Sequence, residues 1–196
     1  MTPADASLEG ITGAILIGGR SRRLGQDKVL LPFMGKPLLV HLHSLLASLF
    51  GEVLGVGHAR PGLEALGLVV TEDLIPGAGA LGGIYTALER SPDPLVFVLA
   101  ADMPFVSAAI IRKIAHHPRP ADAVIPRGPR GVEPLCALYS RSCREAIKRS
   151  LDQGSLRIME ALRGLHVVTP PITPAPGGRD PFSNINYPED LAILSS

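Results

Sequence analysis

From Thr12 to Ile17 the chain reads Thr-Gly-Ala-Ile-Leu-Ile and then breaks at once into Gly18-Gly19. Arg20, Arg22, Arg23 and Lys28 follow within nine residues. No other stretch constrains the fold as tightly. The apolar run has the length and character of a buried strand. Small residues at its end let a ligand approach the backbone closely. The N–H groups freed where the strand stops form a concave donor surface, and the cations add charge. A plain solvated loop needs one glycine for its turn, not Gly18, Gly19 and Gly25 set around four cations. The combination suits a polyphosphate.

The rest of the chain is patterned to match. Short β-rich runs alternate with helical patterns, which predicts an α/β fold with a mainly parallel sheet. Strands are expected at Thr12–Ile17, Glu52–Val56, Leu68–Thr71, Leu95–Ala100, Ala123–Ile125, Pro134–Tyr139 and His166–Val168. The clearest is Leu95–Ala100, a continuous apolar run between Pro94 and Asp102. Helices are expected at Leu38–Phe50 behind Pro37, at Ala80–Arg90, and at Ser107–His116 with Ser107 as N-cap. Others are expected at Ser142–Leu151, Ser155–Leu162 and Pro188–Leu194. Pro170–Gly178 carries four prolines in nine residues and reads as a surface loop at or beside the site.

At 196 residues, 46% of them apolar, the chain suffices for one domain with an ample core. The reading is a short N-terminal extension, 1–10, followed by a single domain, 11–196. A net charge of +1 gives no bulk attraction to nucleic acid or membrane. The longest apolar runs are too short to span a bilayer. The first ten residues hold two acids and no base, unlike a signal peptide. A cytoplasmic protein is expected. Cys136 and Cys143 lack the spacing of a redox or zinc motif and read as buried, reduced thiols.

Three further places carry chemistry. Asp102 stands just past the carboxyl end of its strand, the edge where open parallel sheets bind ligands. Capping a helix is its alternative role, but Ser107 lies closer to the helix. Glu72 and Asp73 follow another strand end, where a solvated loop acid is the alternative. The segment Gly77-Ala-Gly-Ala-Leu-Gly82 spells a dinucleotide fingerprint, with Asp102 twenty residues beyond it. That reading fits in count but not in context, because Glu72–Pro76 intervene between the strand and the first glycine. No Walker A loop occurs.

The pattern L-x-G-G-x-S-x-R-x-G-x-D-K is carried by Leu16, Gly18, Gly19, Ser21, Arg23, Gly25, Asp27 and Lys28. It resembles the signature loop of the molybdenum cofactor guanylyltransferases, the MobA-like nucleotidyltransferases. Related sugar-phosphate and cytidylyl transferases usually open on L-A-A-G, so the glycine pair points to the guanylyl branch. Four more blocks resemble the family in order. They are Gly79–Gly83 after Asp73, Leu99–Phe105 around Asp102, Arg127–Tyr139, and Phe182–Leu191 with Asn184 and Asn186. Three places depart from the pattern: Ile17 stands where alanine is usual, Tyr187 where threonine is usual, and Gly57-His58 where an asparagine-rich stretch helps read the base.

The resemblance implies a Rossmann-like three-layer nucleotidyltransferase fold. It implies an enzyme that transfers GMP from GTP to the terminal phosphate of molybdopterin with Mg²⁺ as cofactor, releasing pyrophosphate. By the same resemblance, Leu16, Ile17, Gly18, Gly19, Lys28, Asp73 and Asp102 bind the nucleotide. Arg23, Lys28 and Asp102 are the catalytic set, and Asp102 holds the metal. Asn184 and Asn186 lie toward the pterin; being i and i+2 on an extended piece, they share a face. Capping the last helix is an alternative for Asn186. Transient contact with other cofactor-biosynthesis proteins or acceptor enzymes is also implied. Two other functions remain open: a cytidylyl or sugar-phosphate transferase of the same fold, and a nucleotide-binding protein without turnover.

Overall fold

The structure is a computed structural model, and it describes residues 7–18, 30–58, 63, 68–118, 120–174 and 177–185. Strand β1 (Ile11–Ile17) is buried along its whole length. A small hairpin follows, β2 (Pro32–Phe33) and β3 (Lys36–Pro37), turning at Met34 and Gly35. Both turn residues have positive φ, +49° and +77°. That is the twist a two-residue hairpin turn requires.

Next come α1 (Leu38–Ala47), β4 (Val53–Gly57), β5 (Val70–Thr71), α2 (Gly79–Arg90) and β6 (Leu95–Ala100). The second half holds α3 (Ala108–Ala115), β7 (Ala123–Val124), and the hairpin β8 (Arg127–Gly128) with β9 (Gly131–Val132). It continues with β10 (Cys136–Ser140), α4 (Arg144–Asp152), α5 (Ile158–Ala161) and β11 (Val167–Val168).

Seven strands form the main sheet in the order β11-β7-β10-β6-β1-β4-β5. Strand β10 runs antiparallel to both its neighbours, and the remaining pairs are parallel. Alternation along β1 sends its side chains to two cores. Ile15 and Ile17 pack with Leu38, Leu42 and Leu46 of α1 and with Ile111 and Ile114 of α3. Ala14 and Leu16 pack with Leu81 and Ile84 of α2 and Ile147 of α4. Helices cover both faces, so the three-layer α/β architecture expected from the sequence is present.

The differences in detail have local causes. The first helix stops at Ala47, where Ser48 donates to Ser44 and the chain folds under. Leu49 and Phe50 are buried without being helical, so their apolar character mimics a longer helix. The helix expected over Ser155–Leu162 shortens to four residues, because Gly154 at φ +74° turns the chain and Ser155 bonds back to Ser150. The proline-rich stretch is partly paired: Arg127 donates to Pro170 and accepts from Ile172. Leu8, ahead of β1, is buried and donates to Leu49. The last expected helix, Pro188–Leu194, lies outside the described residues.

Candidate active site

Strands β1, β4, β5 and β6 are parallel, so their carboxyl ends share one edge of the sheet. The register sets Leu16 beside both Val56 and Ala100, and Ile17 beside Gly57. From β1 the chain moves to β4 and β5 on one side, then crosses back to β6 on the other. The order therefore reverses between β1 and β6, which opens a crevice beyond their ends. Gly18 leaves from one lip of that crevice, and Ala101 and Asp102 leave from the other. A hydrogen bond from the Ala101 N–H to the Leu16 carbonyl, 3.1 Å, joins the two strand ends.

Of the residues expected to bind nucleotide, Leu16 and Ile17 have buried side chains and face opposite cores, so only their backbone can meet a ligand. Gly18 is exposed, with nothing within 4 Å of where a Cβ would stand. Gly57 is forced to be glycine: at φ +144°, a Cβ there would lie 2.3 Å from the Ile17 carbonyl oxygen. The missing Cβ lets β4 close onto the end of β1 at the site. Gly19, Arg23, Lys28 and Asn186 lie outside the described residues.

Asp73 follows β5 and leans over the start of α2. Its Oδ1 would be 3.8 Å from a Cβ on Gly83, which would also press on Leu16 at 3.2 Å. That oxygen is buried and has no hydrogen-bond partner among the described residues. Burial raises the Asp73 carboxyl above its ordinary value, and His58 opposes this in part. His58 itself stands 3.9 Å from Glu72, both side chains exposed.

On the other lip, the Asp102 carbonyl accepts from the Ile185 N–H at 2.9 Å. The segment around Asn184 is thereby brought against the turn that carries Asp102. The Asn184 Oδ1 is the second buried oxygen without a partner among the described residues. Arg130 anchors the same segment, donating to the Phe182 carbonyl at 2.6 Å and pairing with Asp180 at 3.1 Å. A Cβ on Gly128 would meet the Phe182 ring at 2.6 Å, so this glycine admits the ring. Half-buried Glu133 lies beside them; burial raises its carboxyl, Arg130 opposes that and Asp180 adds to it. Two blocks far apart in the sequence, Arg127–Tyr139 and the one beginning at Phe182, thus meet at one end of the crevice.

Two buried oxygens thus lack a hydrogen-bond partner among the described residues. A buried acceptor without a donor costs stability and calls for an explanation. A ligand that brings N–H or O–H groups supplies one. Among the described residues no three His, Cys, Asp or Glu side chains cluster as a closed metal cage. One strand-end carboxylate suits a hard cation that takes most of its ligands from substrate phosphates and water. Asp102 therefore fits Mg²⁺ and does not fit a structural zinc site.

The dinucleotide pattern fails on topology. Its helix, α2, leads from β5 to β6, yet these strands are separated in the sheet by β4 and β1. Gly77 and Gly79 have φ +81° and +58°, with nothing within 4 Å of where a Cβ would stand, so they serve the turn into α2.

Sequence reasoning missed two polar groups here. Glu133 is one, in a block where only the glycine and Pro-Leu pattern stood out. The other is His41 on α1, one histidine among six in the sequence. Glu133 meets Asp180, and the His41 ring meets Phe33, which packs on Phe105; Asp180 and Phe105 come from distant parts of the chain, which no local pattern reveals.

Comparison with known proteins agrees with this geometry. A family model described as the MobA-like NTP transferase domain matches residues 13–167. A probable molybdenum cofactor guanylyltransferase of Chloroflexus aggregans is 37% identical, over 95% of this chain and 94% of its own. The molybdenum cofactor guanylyltransferase of Desulfosudis oleivorans is 35% identical, over 83% and 81%. The crystal structure of molybdopterin-guanine dinucleotide biosynthesis protein A from Archaeoglobus fulgidus superposes with a TM-score of 0.73 at 27% identity. It covers 93% of this chain and 96% of that one.

Proposed function

The chain belongs to the MobA-like NTP transferase family, and from that premise we propose that it transfers GMP from GTP to the terminal phosphate of molybdopterin. An oxygen of the acceptor phosphate attacks the α-phosphorus of GTP. The bond from that phosphorus to the bridging oxygen breaks, and pyrophosphate leaves. The acceptor is its own nucleophile, so the protein's work is positioning and charge stabilisation.

In this reading the backbone at Leu16–Gly19 cradles the nucleotide. Lys28 and Arg23 neutralise its phosphates and the departing pyrophosphate. Asp73 accepts a donor from the nucleoside, which satisfies its buried oxygen. Asn184 and Asn186 serve the pterin side. Asp102 would hold Mg²⁺, which when bound lowers the charge barrier at the phosphates. Residues 11–196 form the catalytic domain, with 1–10 as an extension. Among the described residues no helix is long and apolar enough to cross a membrane, which is consistent with work in the cytoplasm.

The observation that carries this reading is the pair of buried oxygens, on Asp73 and Asn184, that have no hydrogen-bond partner among the described residues, at a sheet edge whose strand order reverses between β1 and β6. Calorimetric titration with GTP, CTP, UTP and ATP in Mg²⁺ tests it. GTP is expected to bind most tightly. Tighter binding of CTP would replace the guanylyl reading with a cytidylyl one.

A further inference from the structure

The C-terminal segment that reaches the turn of Asp102 has two apolar anchors. Phe182 and Ile185 are both buried, in the same core as Val124 and Leu138. Apolar burial fixes how deep a segment lies, but it is non-directional and does not orient the backbone between its anchors. Between these two lies Asn184, whose buried oxygen has no hydrogen-bond partner among the described residues.

Direction comes from Arg130. It stands in the two-residue turn of the β8–β9 hairpin, between the paired Gly128 and Gly131. Its guanidinium grips two acceptors at once. Nη2 donates to the Phe182 carbonyl at 2.6 Å, and Nε pairs with Oδ2 of Asp180 at 3.1 Å. The other Asp180 oxygen, Oδ1, accepts from the Phe182 N–H at 3.0 Å. Arg130, Asp180 and Phe182 thus close a ring of bonds that takes both backbone polar groups of Phe182. The Ser183 N–H donates to the Asp180 carbonyl at 3.1 Å and tightens the same turn. A planar guanidinium meets its acceptors at fixed angles, which a flexible ammonium does not. The Arg130 side chain is 57% exposed, so as an ion pair alone it contributes little stability. What the fork supplies is orientation.

The segment so oriented meets the Asp102 turn at two places. Upstream of the ring of bonds, the Arg179 guanidinium lies 4.3 Å over the centre of the Phe105 ring. Downstream of it, the Ile185 N–H donates to the Asp102 carbonyl at 2.9 Å. We propose that Arg130 is a positioning residue for the acceptor half of the reaction: its fork sets the path of the segment from Asp180 to Ile185 and so places Asn184 against the turn that carries Asp102. This role rests on the functional reading above, in which Asn184 serves the pterin. It involves no contact between Arg130 and substrate.

The unmodified chain is compared with Arg130→Ala, which removes the fork, and Arg130→Lys, which keeps the charge without the fork. Three quantities are read: hydrogen exchange at the Ile185 amide by nuclear magnetic resonance, affinity for a non-hydrolysable GTP analogue with Mg²⁺, and affinity for molybdopterin in the presence of that analogue. Arg130→Ala is expected to speed exchange at Ile185 and to weaken molybdopterin binding, each by about tenfold, with affinity for the GTP analogue unchanged. Arg130→Lys is expected to fall between the other two in both readouts. Unchanged exchange at Ile185 in the alanine variant would overturn the proposal, and so would faster exchange with full molybdopterin affinity. Equal loss of affinity for both ligands would mean general loosening of the fold and overturn it too. Should Arg130→Ala not fold, Asp180→Asn takes its place, since it removes the charge that Nε meets and keeps an oxygen for the Phe182 N–H. Molybdopterin affinity unchanged in that variant would overturn the proposal. Because affinity is read without turnover, an unmodified chain that binds molybdopterin yet makes no dinucleotide would count against the functional reading alone. One that binds no molybdopterin would overturn the inference as well.

Discussion

Asp73 and Asn184 each keep a buried oxygen unpaired among the described residues, and such atoms reveal what a side chain is for. A residue kept for folding alone should stabilise the fold; one kept for a ligand can burden it. Asp73→Ala should therefore leave the melting temperature equal or higher and weaken GTP binding. A lower melting temperature with intact GTP affinity would make Asp73 structural. Asp102→Asn should fold normally, because the bond from Ile185 goes to the backbone carbonyl and survives the change. Its turnover should fall by about a hundredfold or more; near-normal rates at limiting Mg²⁺ would put the metal elsewhere. The two cysteines should behave as inert packing groups. Burial, with the Asp122 charge adding, pushes the Cys143 thiol up to about 12, and the fully buried Cys136 thiol is raised further. Iodoacetamide at pH 8 should leave both unmodified in the folded protein and alkylate both in denaturant; rapid labelling of the native chain would contradict their burial. The place of Asp102 just past a strand's carboxyl end was legible in the sequence, because the apolar run before it marks the strand. The setting of His41 was not, since Phe33 beside it and Phe105 beyond come together only in the folded chain.

At the scale of elements, long buried strands announced themselves and short ones did not. Strand β6 has the bounds the apolar run implies, because a strand buried on both faces must be apolar throughout. The two-residue strands β2, β3, β8 and β9 exist only as pairs, and turn geometry rather than composition defines them. The direction of β10 was likewise hidden, since side chains alternate identically in parallel and antiparallel strands. Gly57 shows how one position secures the joint between two elements. Gly57→Ala should destabilise the fold by about 1–3 kcal/mol and weaken nucleotide binding as β4 is pushed from β1; an unchanged denaturation midpoint would mean the strand end shifts freely. Asp122 ties three elements together, accepting from the Ser142 hydroxyl at 2.5 Å and the His166 N–H at 2.8 Å. These bonds, the Ser142 one foremost, hold its carboxyl below the ordinary aspartate value. Its contribution is thus complete above the unfolded value, about 4, and disappears as pH falls through the lower folded one. Asp122→Ala should cost about 1 kcal/mol at pH 7 and clearly less at the acid end of the folded range, where the carboxyl is protonated. Equal losses at both ends would separate the effect from ionisation.

For the whole molecule, the sheet order is what converts a strand list into a site. Alternating strands and helices implied an α/β protein, but no local pattern states that β6 returns to the far side of β1. That return creates the crevice, sets Asp102 across from Gly18, and separates β5 from β6 so that the glycines at 77, 79 and 82 cannot form a dinucleotide fold. The C-terminal segment then bonds to the Asp102 backbone, which brings Asn184, proposed above to serve the pterin, to the turn that carries Asp102. Guanylyl transfer to a pterin phosphate can be read directly from the products of one reaction. The purified chain is incubated with molybdopterin, Mg²⁺ and an equimolar mixture of GTP, CTP, UTP and ATP, and the products are identified by mass. The expected product is the guanine dinucleotide of molybdopterin, with one pyrophosphate released per product and little of the other three dinucleotides. Predominant formation of the cytosine dinucleotide, or nucleotide binding with no dinucleotide at all, would contradict it.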